Sequence, residues 1–463
     1  MDYFATLAMT YEVRTLCFFC LKHLIQIGIN IQRECIFMQN EIKFIEGGVC
    51  APLGFTANGM LCHIKASRTK NDTALVYSEV PCNAAGVFTQ NRVKAESVKL
   101  TQKHLADGKA QALIAISGNA NCCTGAQGAE NALRMAKAAA GQLGIKAEDV
   151  IVYSTGVIGA QLDVTKVENN IEALAKGLSR DGNKEARIAI MTTDTQFKEC
   201  AVEFTVGGKV CHMGTMCKGS GMIHINMGTM LSMITTDCAI SSEMLGKALH
   251  ESILGTYNCV SVDGDTSTND SLTVLANGLA GNKEITGPGE DYDTFLAAMN
   301  KMNLVMARKI AADGEGATRL VECNVKGARS VEAARGLAKE IICSSLVKAA
   351  MFGSDANFGR FLCAMGYSGI EFDPDKTSIW FTSKKGAKRY FENYDDFEVH
   401  GEDSVQVYKD GVPTDFDEDL AKSIMSQEAV EILVQCGDGD ACGTAWGCDL
   451  TYDYVKINGD YRT

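Results

Sequence analysis

The segment CKGSGMIHINMGTMLSMITTD, Cys217 to Asp237, sets a lone Lys218 in a glycine run. It then leads through Gly228-Thr229 into the apolar Met230-Leu231-Ser232-Met233-Ile234. A hydroxyl at the mouth of a strand is a candidate nucleophile. Threonine Oγ is weak in that role unless a base lies beside it, and one solution is the residue's own α-amino group. A free α-amine has a pKa of about 7.7–8.0, matched to proton transfer near neutral pH. An internal threonine carries only an amide, so this chemistry requires a cut between Gly228 and Thr229. Glycine at 228 gives the backbone the freedom that an N-to-O acyl shift needs. The plainer alternative is a β-branched residue that opens a strand. Pattern alone leaves both open.

Other familiar chemistries are not supported. DGDTSTND (Asp263 to Asp270) starts like a calcium loop, but Thr268 stands where the glycine belongs and Val274 where the glutamate belongs. An oxygen-rich turn is the better reading. No Walker A or G-x-S-x-G sequence is present, Gly219-Ser220-Gly221 does not complete a dinucleotide fingerprint, and the seven histidines show no HxxxH or HExxH spacing. Cys17 and Cys20 form a lone CxxC, and Cys436, Cys442 and Cys448 have no histidine near them. The expectation is no metal. Nineteen scattered cysteines, an odd number, suit reduced thiols in a cytoplasmic protein better than a disulfide scaffold.

The elements that must carry these residues read as mixed α/β. ALIAIS (Ala112 to Ser117) and VIVYSTG (Val150 to Gly156) read as buried strands, with an alanine-rich helix from Ala129 to Leu143 between them. Val202, Phe204 and Val206 alternate with polar residues ahead of a Gly207-Gly208 hairpin turn. Phe295, Met299, Met302, Met306 and Ile310 mark one face of a helix that stops at Asp313-Gly314. Ser330 caps a further helix expected to run to about Met351. The polar stretch Asn282 to Asp293 suggests a domain edge there or shortly after. With 463 residues, 46% hydrophobic and 22% charged, the chain can build a sizeable core. A net charge of −13 argues against nucleic acid as a partner, so an anionic substrate must be caught by a few local cations. Residues 1–37 include TLCFFCLKHLIQIGIN, which Lys22 and His23 interrupt; it is too short for a membrane span and lacks a signal peptide's charge. Met38 is the expected natural start.

The segment around Thr229 resembles the self-cleavage region of the ornithine acetyltransferase (glutamate N-acetyltransferase) family of arginine biosynthesis. The likeness extends, in order, through APLGFTANG, FTQNRV, SGNANCCTGAQG, STGVIG, MTTDT, DGDTSTND, DGEGATRLVE, FGSDANFGR and the terminal NGDYRT. It covers Met38 to Thr463. The family usually has Ala-Pro where this chain has His224-Ile225, and alanine where it has Gly228. Glycine still permits cleavage. His224 is either an additional acid or base near the scissile bond or a tolerated loop residue.

The resemblance implies a layered α/β sandwich, with an N-terminal α/β domain over 38–310 and a smaller α/β domain over 311–463. It implies Thr229 as autocleavage nucleophile and acetyl carrier, and Thr155 with Gly156 as the oxyanion hole. Thr192, Lys218, Glu315, Asn458 and Thr463 are the implied substrate contacts, with Thr193 a close rival of Thr192. The implied reaction moves acetyl from N2-acetyl-L-ornithine to L-glutamate without a cofactor, and leaves acetyl-CoA open as a second donor. The two fragments would stay together as a heterotetramer, free of nucleic acid and membrane. An N-terminal-nucleophile amidase or aminopeptidase, or a non-catalytic metabolite-binding protein, are the competing readings.

Overall fold

Two β-sheets organise the described residues. The computed structural model describes residues 42–224, 230–390 and 403–460. The expectations for residues 1–37, Gly228, Thr229 and Thr463 therefore lie outside the described residues. In chain order the strands are β1 (Lys43–Ile45), β2 (Phe55–Met60), β3 (Thr73–Phe88), β4 (Lys109–Asn119) and β5 (Val150–Val157). Next come β6 (Lys198–Val206), β7 (Lys209–Lys218), β8 (Leu231–Thr236) and β9 (Ser271–Ala276). The last group is β10 (Leu320–Ala328), β11 (Ser378–Ser383), β12 (Asp403–Lys409), β13 (Val412–Pro413), β14 (Ala429–Gln435) and β15 (Ala441–Cys448).

Among the described residues the larger sheet runs β1-β6-β7-β8-β9-β3-β4-β5, with β2 paired to β3. The second sheet runs β13-β12-β11-β14-β10-β15 and uses only strands after Ala317. Both expected strands of the first half are present, inside β4 and β5, which pair in parallel. β8 and β9 are also parallel and buried along their whole length. That burial on both faces explains their near-continuous apolar and β-branched sequences. Gly207 and Gly208 close the β6–β7 hairpin with φ of 55° and 75°, the left-handed pair that a two-residue turn of this kind requires.

The helix Glu290–Ala312 lies between the two sheets, against β6 and β7 on one side and β10 and β15 on the other. Its expected face, Phe295 to Ile310, is fully buried. So are Ala298, Val305, Ala307 and Ala311, since the helix Ser242–Leu254 and the second sheet cover its other faces. The helix ends at Ala312, as read. The single helix expected from Ser330 to Met351 is instead two, Val331–Cys343 and Ser345–Gly353. Ser344 adopts an extended conformation (φ −63°, ψ 119°) and its Oγ accepts from Val347 N, so it ends one helix and caps the next. Ser330 does cap the first, accepting from Ala333 N. The described residues from Phe44 onward make one compact unit. Among the described residues no helix is long and apolar enough to cross a membrane, and no group of residues has metal-ligand geometry.

Candidate active site

Thr155 and Gly156 lie at the end of β5, where five buried residues give way to half-buried ones. Gly156 has φ 133°, and a Cβ there would stand 2.3 Å from the Gly118 carbonyl carbon. Glycine is therefore demanded by the close approach of β4, not merely by a turn. Asn269 fixes this strand end from outside: its Nδ2 donates to Ser154 O (2.7 Å) and Ala120 O (2.6 Å).

Lys218 ends β7, and only 8% of it is exposed. Its Nζ has no hydrogen-bond partner among the described residues, so it remains available to a ligand anion. Glu315 follows the helix Glu290–Ala312 and is also nearly buried; Asn458 Nδ2 donates to its Oε2 at 2.8 Å. A Cβ at Gly221 would fall 2.2 Å from that carboxylate, which accounts for the second glycine of the KGSG run. Asn458 belongs to the helix Tyr452–Gly459, moored by Thr451 Oγ1 donating to Gly316 O at 2.7 Å.

These residues meet. Thr155, Gly156, Thr192, Lys218, Glu315 and Asn458 line one cavity of about 240 Å³, together with Thr193. Pockets for drug-sized ligands run to roughly 300–1,000 Å³, so this smaller one suits a molecule of amino-acid size. Its two charged walls, an ammonium and a carboxylate, suit a zwitterion.

The DGDTSTND loop gains a role the sequence did not reveal. Asp263 accepts from Met222 N (2.6 Å) and Ile223 N (2.8 Å), while Thr266 Oγ1 donates to His224 O (3.2 Å). Met222 has φ 55°, unusual for a side-chain-bearing residue, and the Asp263 clamp helps hold it there. The loop's oxygens thus bind backbone N–H groups. His224 Nδ1 lies 3.2 Å from Ser261 Oγ and 3.5 Å from Cys343 Sγ. Burial, with Lys339 nearby, brings the His224 imidazole down to about 4. A neutral, tethered ring of this kind is a poor proton donor near neutral pH.

Asp270 was also missed. It is 3% exposed, and its Oδ2 has no hydrogen-bond partner among the described residues. Burial pushes its carboxyl well above the usual range, against Ser267 and the charge of Lys218. A carboxyl with a raised folded-state pKa contributes stability below its unfolded pKa and loses it as pH rises. Asp270→Asn should therefore melt higher than the parent at pH 8, with the gap narrowing toward pH 4. Thermal melts across that range test this; a gap constant with pH would contradict it.

The chain matches the model of the ArgJ family over residues 56–463. A relative from Caldanaerobacter subterraneus subsp. tengcongensis, named arginine biosynthesis bifunctional protein ArgJ, is 47% identical over 422 residues, which cover 91% of this chain and 100% of the relative. The crystal structure of the arginine biosynthesis bifunctional protein from Bacillus halodurans is 39% identical, covering 49% of this chain and 96% of that one, with a TM-score of 0.42. The ornithine acetyltransferase of Mycobacterium tuberculosis, solved in complex with ornithine, is 37% identical, covering 40% and 98%, with a TM-score of 0.37. The class is thus an acetyltransferase of arginine biosynthesis, acting as a glutamate N-acetyltransferase. The chain belongs to the ArgJ family.

Proposed function

We propose that this chain exchanges acetyl between N2-acetyl-L-ornithine and L-glutamate by a ping-pong route through an ester on Thr229, after cleavage between Gly228 and Thr229. The observation that carries this reading is the cavity itself. Lys218 and Glu315 bring opposite charges to one amino-acid-sized space that also contains Thr155 and Gly156.

The acetylornithine α-carboxylate pairs with Lys218 and its side-chain ammonium with Glu315, while Thr192, Asn458 and Thr463 complete the contacts. Thr229 Oγ attacks the acetyl carbonyl as the Thr229 α-amine accepts its proton. The negative oxygen of the tetrahedral intermediate rests on Thr155 Oγ1 and the Gly156 N–H. The amine passes the proton to the departing ornithine nitrogen. Glutamate's amine then attacks the ester, and its proton returns by way of the α-amine to Thr229 Oγ. Each carbonyl–nitrogen bond broken is matched by one formed, so the exchange needs little driving force and no metal or organic cofactor. Acetyl-CoA remains open as a second donor.

Association of the two fragments, as a heterotetramer, is part of the same reading. Its support is that β7, before the cleavage point, pairs with β8, after it, from Lys218↔Leu231 to Met213↔Thr236. Free cysteines, most of them buried, support a cytoplasmic setting.

An amidase of the same chemistry would pass acetyl to water. Consumption of N2-acetylornithine by the purified protein should depend on added glutamate and yield N-acetylglutamate in equal amount. Glutamate-independent release of acetate would establish the hydrolase instead.

A further inference from the structure

The three loops that wall the cavity come from distant parts of the chain, yet one buried ammonium joins them. Lys198, on β6, is about 1% exposed and contacts Asp194 Oδ1 at 2.8 Å and Asp313 Oδ2 at 2.5 Å. Asp194 Oδ2 accepts from Thr192 N at 3.0 Å, and Asp194 Oδ1 accepts from Gly219 N, beside Lys218, at 2.8 Å. Asp313 Oδ2 accepts from Thr195 N (3.0 Å) and Gln196 N (3.1 Å). Ser220 Oγ donates to the Asp313 carbonyl at 2.6 Å, and Glu315 N donates to Ser220 O at 3.0 Å. The segments that carry Thr192, Lys218 and Glu315 are thereby tied to one another through a single cluster.

Its charges bear on the site as well. Two carboxylates around Lys198 leave one negative charge over, and Lys218 lies close enough to act on Asp194. Burial opposes ionisation of Asp194, but Lys198 and then Lys218 hold its carboxyl well below the usual range. The surplus charge balances the Lys218 ammonium without using its N–H donors, which no described residue engages. Buried ion clusters of this kind add little net stability compared with apolar packing of the same volume. Stability alone therefore does not account for this one.

We infer that Asp194, clamped by Lys198 and Asp313, is a positioning residue that sets the Thr192 and Lys218 loops for the substrate's carboxylate. This rests on the proposed acetyl exchange and deepens it. The asparagine of Asp194→Asn cannot accept from Lys198 and Gly219 on one side and from Thr192 N on the other. A charged-acceptor hydrogen bond is lost, so KM for N2-acetylornithine should rise about tenfold while kcat stays within about threefold. Asp194→Asn combined with Lys218→Met should cost less than the product of the two single losses, since the misplaced group is then absent. Thr195 Oγ1 also donates to Asp313 Oδ1; Thr195→Val, which removes only that hydroxyl, should raise KM by a smaller factor and guards against misfolding of the first variant. Unchanged KM in folded variants, or strictly multiplicative losses, would overturn the positioning role. A parent protein inactive in exchange would instead refute the proposed function.

Discussion

Thr229→Ala should leave a single uncut chain and abolish acetyl exchange. Without the cut there is no α-amine, and without the hydroxyl there is no ester to form. Loss of a nucleophile that works with its base costs a large factor, here expected to be at least about 10⁴ in kcat. Intact-mass analysis and a glutamate-dependent assay read the two effects separately. Thr229→Ser keeps both groups and should restore cleavage and part of the turnover. Exchange at the parental rate in the alanine variant would remove Thr229 from the mechanism.

Thr155→Val carries the second large effect. Valine keeps the shape and the β-branch that suit the end of β5, but it removes the hydroxyl proposed as donor to the developing negative oxygen. Such a loss typically lowers kcat by about 10²–10³ with little change in KM. A steady-state split showing higher KM and normal kcat would make Thr155 a binding residue only. Gly156 offers no equally clean test, because its donor is backbone and an added Cβ would run into Gly118.

The sequence was most informative where local chemistry and tertiary burial agree. The β-branched runs of β4 and β5, the paired glycines at 207 and 208, and the Ser330 cap could all be read directly. For Glu290–Ala312 one face was legible from its large residues. The other sides, with Ala298, Val305 and Ala307, were not, because such residues become core only once a neighbouring helix and a second sheet cover them. The extra helix boundary at Ser344 has no proline or glycine to announce it. Thr155, Gly156, Thr192, Lys218, Glu315 and Asn458 were named as a set only through family resemblance; no spacing could gather residues separated by up to three hundred positions. Asp194, Lys198 and Asp313 escaped because an ion cluster closed between residues 194 and 313 leaves no periodic trace. Asp263 and Asn269 were visible as an oxygen-rich turn, but what those side chains hold is a fact of three dimensions.

The strand order has a consequence for the protein's life history. β8 and β9 follow residue 229, yet they are flanked by β7 and β3, which precede it. The proposed cut would leave two polypeptides woven through one ladder, and neither could depart without stripping the other's strands. A chaotrope would release two partners that must then find each other again in dilute solution, a second-order search the newborn chain never faced. Mature enzyme should thus endure for as long as unfolding is slow, and recover poorly once it has occurred.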